Sequence, residues 1–176
     1  MAIQKTREAG FTLIELLIVI SIIGILAATS MALYRNARIR GDEAAAIAVL
    51  STINQAQVAF SQACGNQRYA PSLLALATPM PSTGQPFLSR DLGMDPLDRS
   101  GYRIALAGTV VTDGGTTCIN EPAVETYRVT ADPQQPGYSG IRYFATNTDR
   151  VLFEDLETFA TDMTESGAPP HGAEMK

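Results

Sequence analysis

The chain has no tryptophan, one histidine (His171), two lysines (Lys5 and Lys176) and two cysteines (Cys64 and Cys118). Each shortage closes off a chemistry. The histidine stands in the Pro/Gly-rich terminus "SGAPPHGAEMK", a poor place for the positioned base of a Ser-His-Asp or Cys-His site, and it reads as a solvated tail residue. Two cysteines and one histidine cannot supply a usual structural zinc site. No Cys-x-x-Cys-His haem attachment and no phosphate-binding glycine motif occurs. These absences argue against an enzyme and call for no cofactor. The net charge is -5, whereas phosphate contacts need a basic face, so general nucleic-acid binding is not expected. Proline is missing from residues 1–70, so no proline forces a helix there to kink. No Asn-x-Ser/Thr acceptor site occurs.

Residues 16–34 carry no charge, close to the ~20 residues that a helix needs to cross the hydrocarbon core of a bilayer. Glu15 sits at the edge of that run. A carboxylate near lipid costs about 3 kcal/mol or more and by default marks a functional residue with a partner. Two ordinary readings leave it without one. A secretory signal peptide would use Lys5 and Arg7 as its basic region, residues 13–26 as its apolar core and Ser30, Met31 and Ala32 as its cleavage site. A plain transmembrane anchor would use the same run. Either would make the chain a secreted or membrane-anchored binding domain.

The remainder predicts an α+β fold. Val49, Ile53, Ala56 and Phe60 follow helical spacing in an Ala-rich stretch. A helix over residues 12–60 would be about 74 Å long at 1.5 Å per residue, its C-terminal half packing this stripe onto a sheet. Cys64-Gly65 reads as its stop, with glycine as the cap. Arg35, Arg38 and Arg40, followed by Asp42 and Glu43, read as a solvated face; the other reading is a basic collar for lipid headgroups or acidic neighbours. Residues 65–100 read as an irregular connection with one or two helical turns at 72–77. Four antiparallel strands follow. "GYRIALAG" sets Tyr102, Ile104 and Leu106 on one face, and "VETYRVTA" does the same for Tyr127 and Val129; "IRYFAT" and "RVLFED" flank "NTD" as a hairpin. The cysteines read either as a disulfide formed in an oxidising compartment or as two unrelated buried thiols. The last residues read as disordered.

The stretch "GFTLIELLIVISIIGILAA" resembles the N-terminus of type IV pilins and pseudopilins. The resemblance implies a prepilin peptidase that cuts between Gly10 and Phe11 on the cytoplasmic side, followed by N-methylation of Phe11. Glu15 matches the glutamate of that family, which meets the N-terminus of a neighbouring subunit. A partner for the carboxylate is thereby named, since the new α-amino group is cationic at or below a pKa of about 8; four residues from Glu15 on a helix, it could also pair within its own chain. An unpaired buried charge is costly, so pairing would fix the register of assembly. The implied product is a pilin: a homo-oligomeric helical filament, held in the inner membrane with a cytoplasmic N-terminus before the pilus assembly machinery moves it to an extracellular pilus. The expected organisation is a leader at 1–10, a transmembrane and filament-core half-helix at 11–34, an amphipathic half at 35–64, a globular head at 65–165 and a flexible tail at 166–176. The alternative within the family is a pseudopilin of a type II secretion system.

Three family features are weaker here. The family often has a proline late in the membrane segment, where this chain has Ala32. "DPLDRSGYR" is loosely similar to the calcium-binding segment of major pseudopilins, with Asp95, Asp98 and Asp113 as possible oxygen donors, although acidic loop residues are usually just solvated and those pseudopilins generally lack a disulfide. For electron conduction the long helix offers only Phe11, Tyr34 and Phe60, more than about 30 Å apart along the helix, and they read as packing residues.

Overall fold

The computed structural model describes residues 10–111 and 116–175. Its elements in chain order are α1 (Leu13–Ala63), α2 (Leu73–Ala77), a 3-10 turn (Arg90–Leu92), β1 (Leu97–Arg99), β2 (Tyr102–Val110), β3 (Val124–Pro133), β4 (Tyr143–Asn147), β5 (Leu152–Asp155) and β6 (Ala173–Glu174). The chain divides into two units, Met1–Ala37 and Arg38–Lys176.

In the first unit α1 runs without a break past Gly24 and Ala32, as a stretch without proline permits. Its large apolar side chains, among them Ile14, Leu17, Ile20 and Leu26, are exposed. By length and composition alone the helix could cross a membrane. Its serine and threonine hydroxyls are spent on its own backbone: Ser21 Oγ donates to the Leu17 carbonyl at 2.8 Å, Ser30 Oγ to the Leu26 carbonyl at 2.8 Å and Thr29 Oγ1 to the same oxygen at 3.1 Å. Hydroxyls satisfied in this way need no water and so suit an apolar surround.

In the second unit the helical stripe of Val49, Ile53, Ala56 and Phe60 is buried in one core with Tyr102, Ile104 and Leu106 of β2 and with Tyr127 and Val129 of β3. A stripe of period 3.6 thus meets strand faces of period 2. The sheet is antiparallel in the simple order β1-β2-β3-β4-β5-β6. Four of these strands are the four expected. The other two are edge additions, so the four-strand count is corrected to six. Ser100 (φ 48°) and Gly101 (φ 70°) form a two-residue turn that folds β1 back onto β2.

The second addition comes from the terminus expected to lack structure. Ala173 and Glu174 pair with Glu154 and Phe153, and the Met175 N–H donates to the Leu152 carbonyl at 2.9 Å. Successive residues of a strand face opposite sides. Phe144 therefore joins the core under α1, while Ala145 joins Phe153, Phe159 and Met163 in a second cluster on the other face. His171 is stacked on Phe159, with ring centroids 4.9 Å apart, and its Nδ1 lies 2.6 Å from an Asp155 carboxylate oxygen. It is half-buried, not the solvated tail residue expected.

The stop at Cys64-Gly65 also differs in its cause. Asn66 and Gln67, not Gly65, take positive φ. Gly65 is needed for room, because a Cβ there would lie 2.0 Å from the Arg68 carbonyl oxygen.

Glu43 departs from the solvated face. Arg38 and Asp42 do form an exposed i,i+4 pair at 3.7 Å, but Glu43 is buried at 4 % exposure. Its carboxylate accepts from the N–H groups of Ile141 (3.0 Å) and Arg142 (3.2 Å) and from the Arg142 guanidinium (2.7 and 3.0 Å). Arg142 also reaches Glu154 at 2.5 Å. Burial works to raise the Glu43 carboxyl, but these donors outweigh it and hold it below the usual glutamate range. A carboxyl depressed in the folded state contributes stability above the unfolded value and loses it as pH falls through the folded one. Glu43→Ala leaves the N–H groups of Ile141 and Arg142 without their acceptor and the half-exposed Arg142 guanidinium with Glu154 alone, and is expected to cost about 2 kcal/mol. Thermal melting of the detergent-solubilised chain measures this, and Glu43→Gln should flatten the acid limb of its stability profile.

Candidate functional site

The N-terminal residues form one small assembly of polar groups ahead of an apolar helix. Gly10 and Phe11 precede α1 in non-helical backbone, and Phe11 is 84 % exposed. The helix begins at Leu13 because Thr12 caps it. Thr12 Oγ1 accepts from the Glu15 N–H at 3.3 Å. In return one oxygen of Glu15, Oε2, accepts from the Thr12 N–H at 2.9 Å and from the Thr12 hydroxyl at 2.7 Å. Thr-Leu-Ile-Glu is thus a reciprocal capping box, which satisfies amide donors that the first turn leaves open. A carboxylate in the first turn also suits the positive end of the helix dipole. Thr12 is the residue that the sequence reading missed. Its signal was present, a threonine three residues before a glutamate at the start of an apolar run.

The remaining expected residues lie in the second unit. Cys64 and Cys118 are joined by a disulfide with Cα atoms 4.9 Å apart, and the Cys118 N–H donates to the Cys64 carbonyl at 3.0 Å. The bridge ties the end of α1 to the loop between β2 and β3. Asp95 and Asp98 serve separate structural tasks. The Asp95 carboxylate accepts from the Leu73 N–H at 3.3 Å and the Leu106 N–H at 3.4 Å, and burial pushes its carboxyl up. Asp98 pairs with Arg103 at 3.0 Å, and that hydrogen-bonded partner holds its carboxyl down. Asp113 and residues 1–9, the expected leader but for Gly10, lie outside the described residues. Among the described residues no three His, Cys, Asp or Glu side chains gather as metal ligands.

An open groove of about 490 Å³ lies between α1 and the β4–β5 turn, with Asn54, Val58 and Leu152 in its lining and Gln55, Gln62 and Arg150 among its polar groups. Its amides, the Ser51 hydroxyl and the Arg150 guanidinium can hydrogen-bond, but its lining holds no His, Asp, Glu or Lys to act as a base beside that hydroxyl.

Residues 5–31 match the prokaryotic N-terminal methylation motif. The match covers Gly10, Phe11, Thr12 and Glu15 together with most of the exposed apolar half of α1. The motif is a structural one and not that of an enzyme family. No curated protein and no solved structure matches the chain.

Proposed function

We propose that this chain, whose N-terminus carries the prepilin-type motif of type IV pilins and pseudopilins, is a pilin, the structural subunit of an extracellular type IV pilus-like filament. Prepilin peptidase removes residues 1–10, and Phe11 becomes the methylated N-terminus. Before assembly α1 holds the subunit in the inner membrane. In the filament the same apolar surface is buried helix against helix, and the Glu15 carboxylate takes the Phe11 ammonium of a second copy. The head forms the coat, its sheet covered by α1 on one face and by Phe159 and Met163 on the other.

The observation that carries this reading is the methylation motif continued by a helix whose apolar side chains are exposed. Water does not tolerate so large an apolar surface, which marks it for lipid or for partners. The polar groups within it point the same way, since the Ser21, Thr29 and Ser30 hydroxyls and one glutamate oxygen are satisfied locally.

The pseudopilin reading shares the motif and ends in a short periplasmic filament. Shearing cells and probing the released material distinguishes the two. A pilin is abundant in the sheared fraction, and a pseudopilin stays with the membrane. Glu15→Ala is expected to insert and to be processed yet to yield few or no filaments, because the Phe11 ammonium then enters an apolar core unpaired. Electron microscopy of the sheared fraction reads the yield, and a normal yield would remove Glu15 from assembly.

A further inference from the structure

We infer that Thr12 is a positioning residue for Glu15: it occupies one carboxylate oxygen within its own subunit and leaves the other for the ammonium of an incoming copy. The inference rests on the filament reading above and deepens it.

Both donors of Thr12, its N–H and its hydroxyl, converge on Oε2 of Glu15 at 2.9 and 2.7 Å, while the same hydroxyl oxygen accepts from the Glu15 N–H at 3.3 Å. No hydrogen bond to Oε1 occurs among the described residues. The two oxygens are therefore not equivalent. A carboxylate at the membrane edge is costly when nothing donates to it, and the two Thr12 donors offset part of that cost before any partner copy is present. They also fix the glutamate torsions, so that less freedom is lost when the second partner docks.

The device survives processing. The cut falls between Gly10 and Phe11, so the Thr12 nitrogen remains a peptide N–H. The ammonium forms one residue earlier, on Phe11, and need not compete for Oε2. A carboxylate offers about four lone-pair sites, enough for an intrachain cap on one oxygen and an intermolecular ion pair on the other. The Thr12 hydroxyl both accepts from the Glu15 N–H and donates to its carboxylate. Valine keeps the shape and does neither.

The test compares Thr12→Val, Thr12→Ser and Glu15→Ala in full-length chains, in cells that display the wild-type filament. N-terminal mass and filament yield are measured for each. Thr12→Val should be cleaved and methylated normally yet lose about fivefold or more in filament yield, the order expected from a lost N-cap. Thr12→Ser should assemble to within about twofold of wild type, because it keeps both hydroxyl roles. Wild-type yield from Thr12→Val beside a defective Glu15→Ala would overturn this inference alone. Equal failure of Thr12→Ser and Thr12→Val would overturn it as well, since keeping the hydroxyl would then not preserve assembly. An uncleaved Thr12→Val chain would assign Thr12 to the peptidase instead. Normal yield from Glu15→Ala would remove the assembly role of Glu15, and this inference with it.

Discussion

Gly10→Val is expected to leave residues 1–10 attached and to abolish surface filaments. The loss would not come from folding. A Cβ added at Gly10 meets nothing within 4 Å, and the residue lies outside the helix. On the proposed reading the substitution is instead felt by the peptidase, whose scissile bond Gly10 would flank. The consequence for assembly follows from charge. Without the cut the Phe11 nitrogen remains a neutral amide, so the Glu15 of a neighbouring copy would enter an apolar core with no cation to meet it, at a cost of several kcal/mol. The retained leader would also bring Lys5 and Arg7 to the place where subunits pack. The intact mass of the membrane-bound chain measures the effect. A Gly10→Val chain that starts at Phe11 would contradict the cleavage assignment.

The second large effect is on the stability of the head. The disulfide spans a sequence separation of 54, and in the chain-entropy model closing a loop of that size contributes about 4 kcal/mol. Cys118→Ser tests the bridge more cleanly than Cys64→Ser, because Cys118 is exposed whereas Cys64 belongs to the core. A serine at position 64 would add the cost of a buried hydroxyl to the cost of the lost bridge. Cys118→Ser is expected to lower the melting temperature by about 10 °C, and reduction of the wild-type chain should lower it comparably. A melting temperature unchanged by either treatment would mean that the bridge constrains nothing in the unfolded chain.

The elements that the sequence made legible were those with strong local periodicity. The apolar run ending at Tyr34, the stripe through Phe60 and the alternating faces of β2 and β3 each repeat a physical pattern often enough to be read. The uncharged edge of the run drew attention to Glu15, and the six residues from Gly10 to Glu15 carried the motif. Less legible were features that depend on residues far apart in the chain. Glu43 looked like half of an acidic pair on a wet helix face, and its burial follows from Arg142, which lies 99 residues further on. β6 was hidden because two residues carry no period, and because the Pro/Gly-rich stretch before it reads as a terminus without a core. What orders that stretch is tertiary: Phe159 offers a ring to His171, Asp155 offers it a carboxylate, and a Cβ on Gly172 would come within 2.6 Å of the Phe159 ring. β1 was hidden for a milder reason, since its three residues fall at the end of the stretch 65–100, whose prolines and glycines read as an irregular connection. The Thr12 cap is a different kind of miss. Its pattern is local, a threonine three positions before the glutamate, but the Phe11 ammonium, of the same chain or of a neighbour, already offered the carboxylate a partner.

A chain processed as a prepilin and carried to the surface would record both steps at its N-terminus. The N-terminal peptide of protein sheared from the cell surface should begin at a methylated Phe11, in abundance, followed by Thr12, Leu13, Ile14 and an intact Glu15. A mature chain that begins near Leu33 would contradict the account. It would mean that a signal peptidase had removed Glu15 and the membrane half of α1 together, and no filament core would be left to assemble.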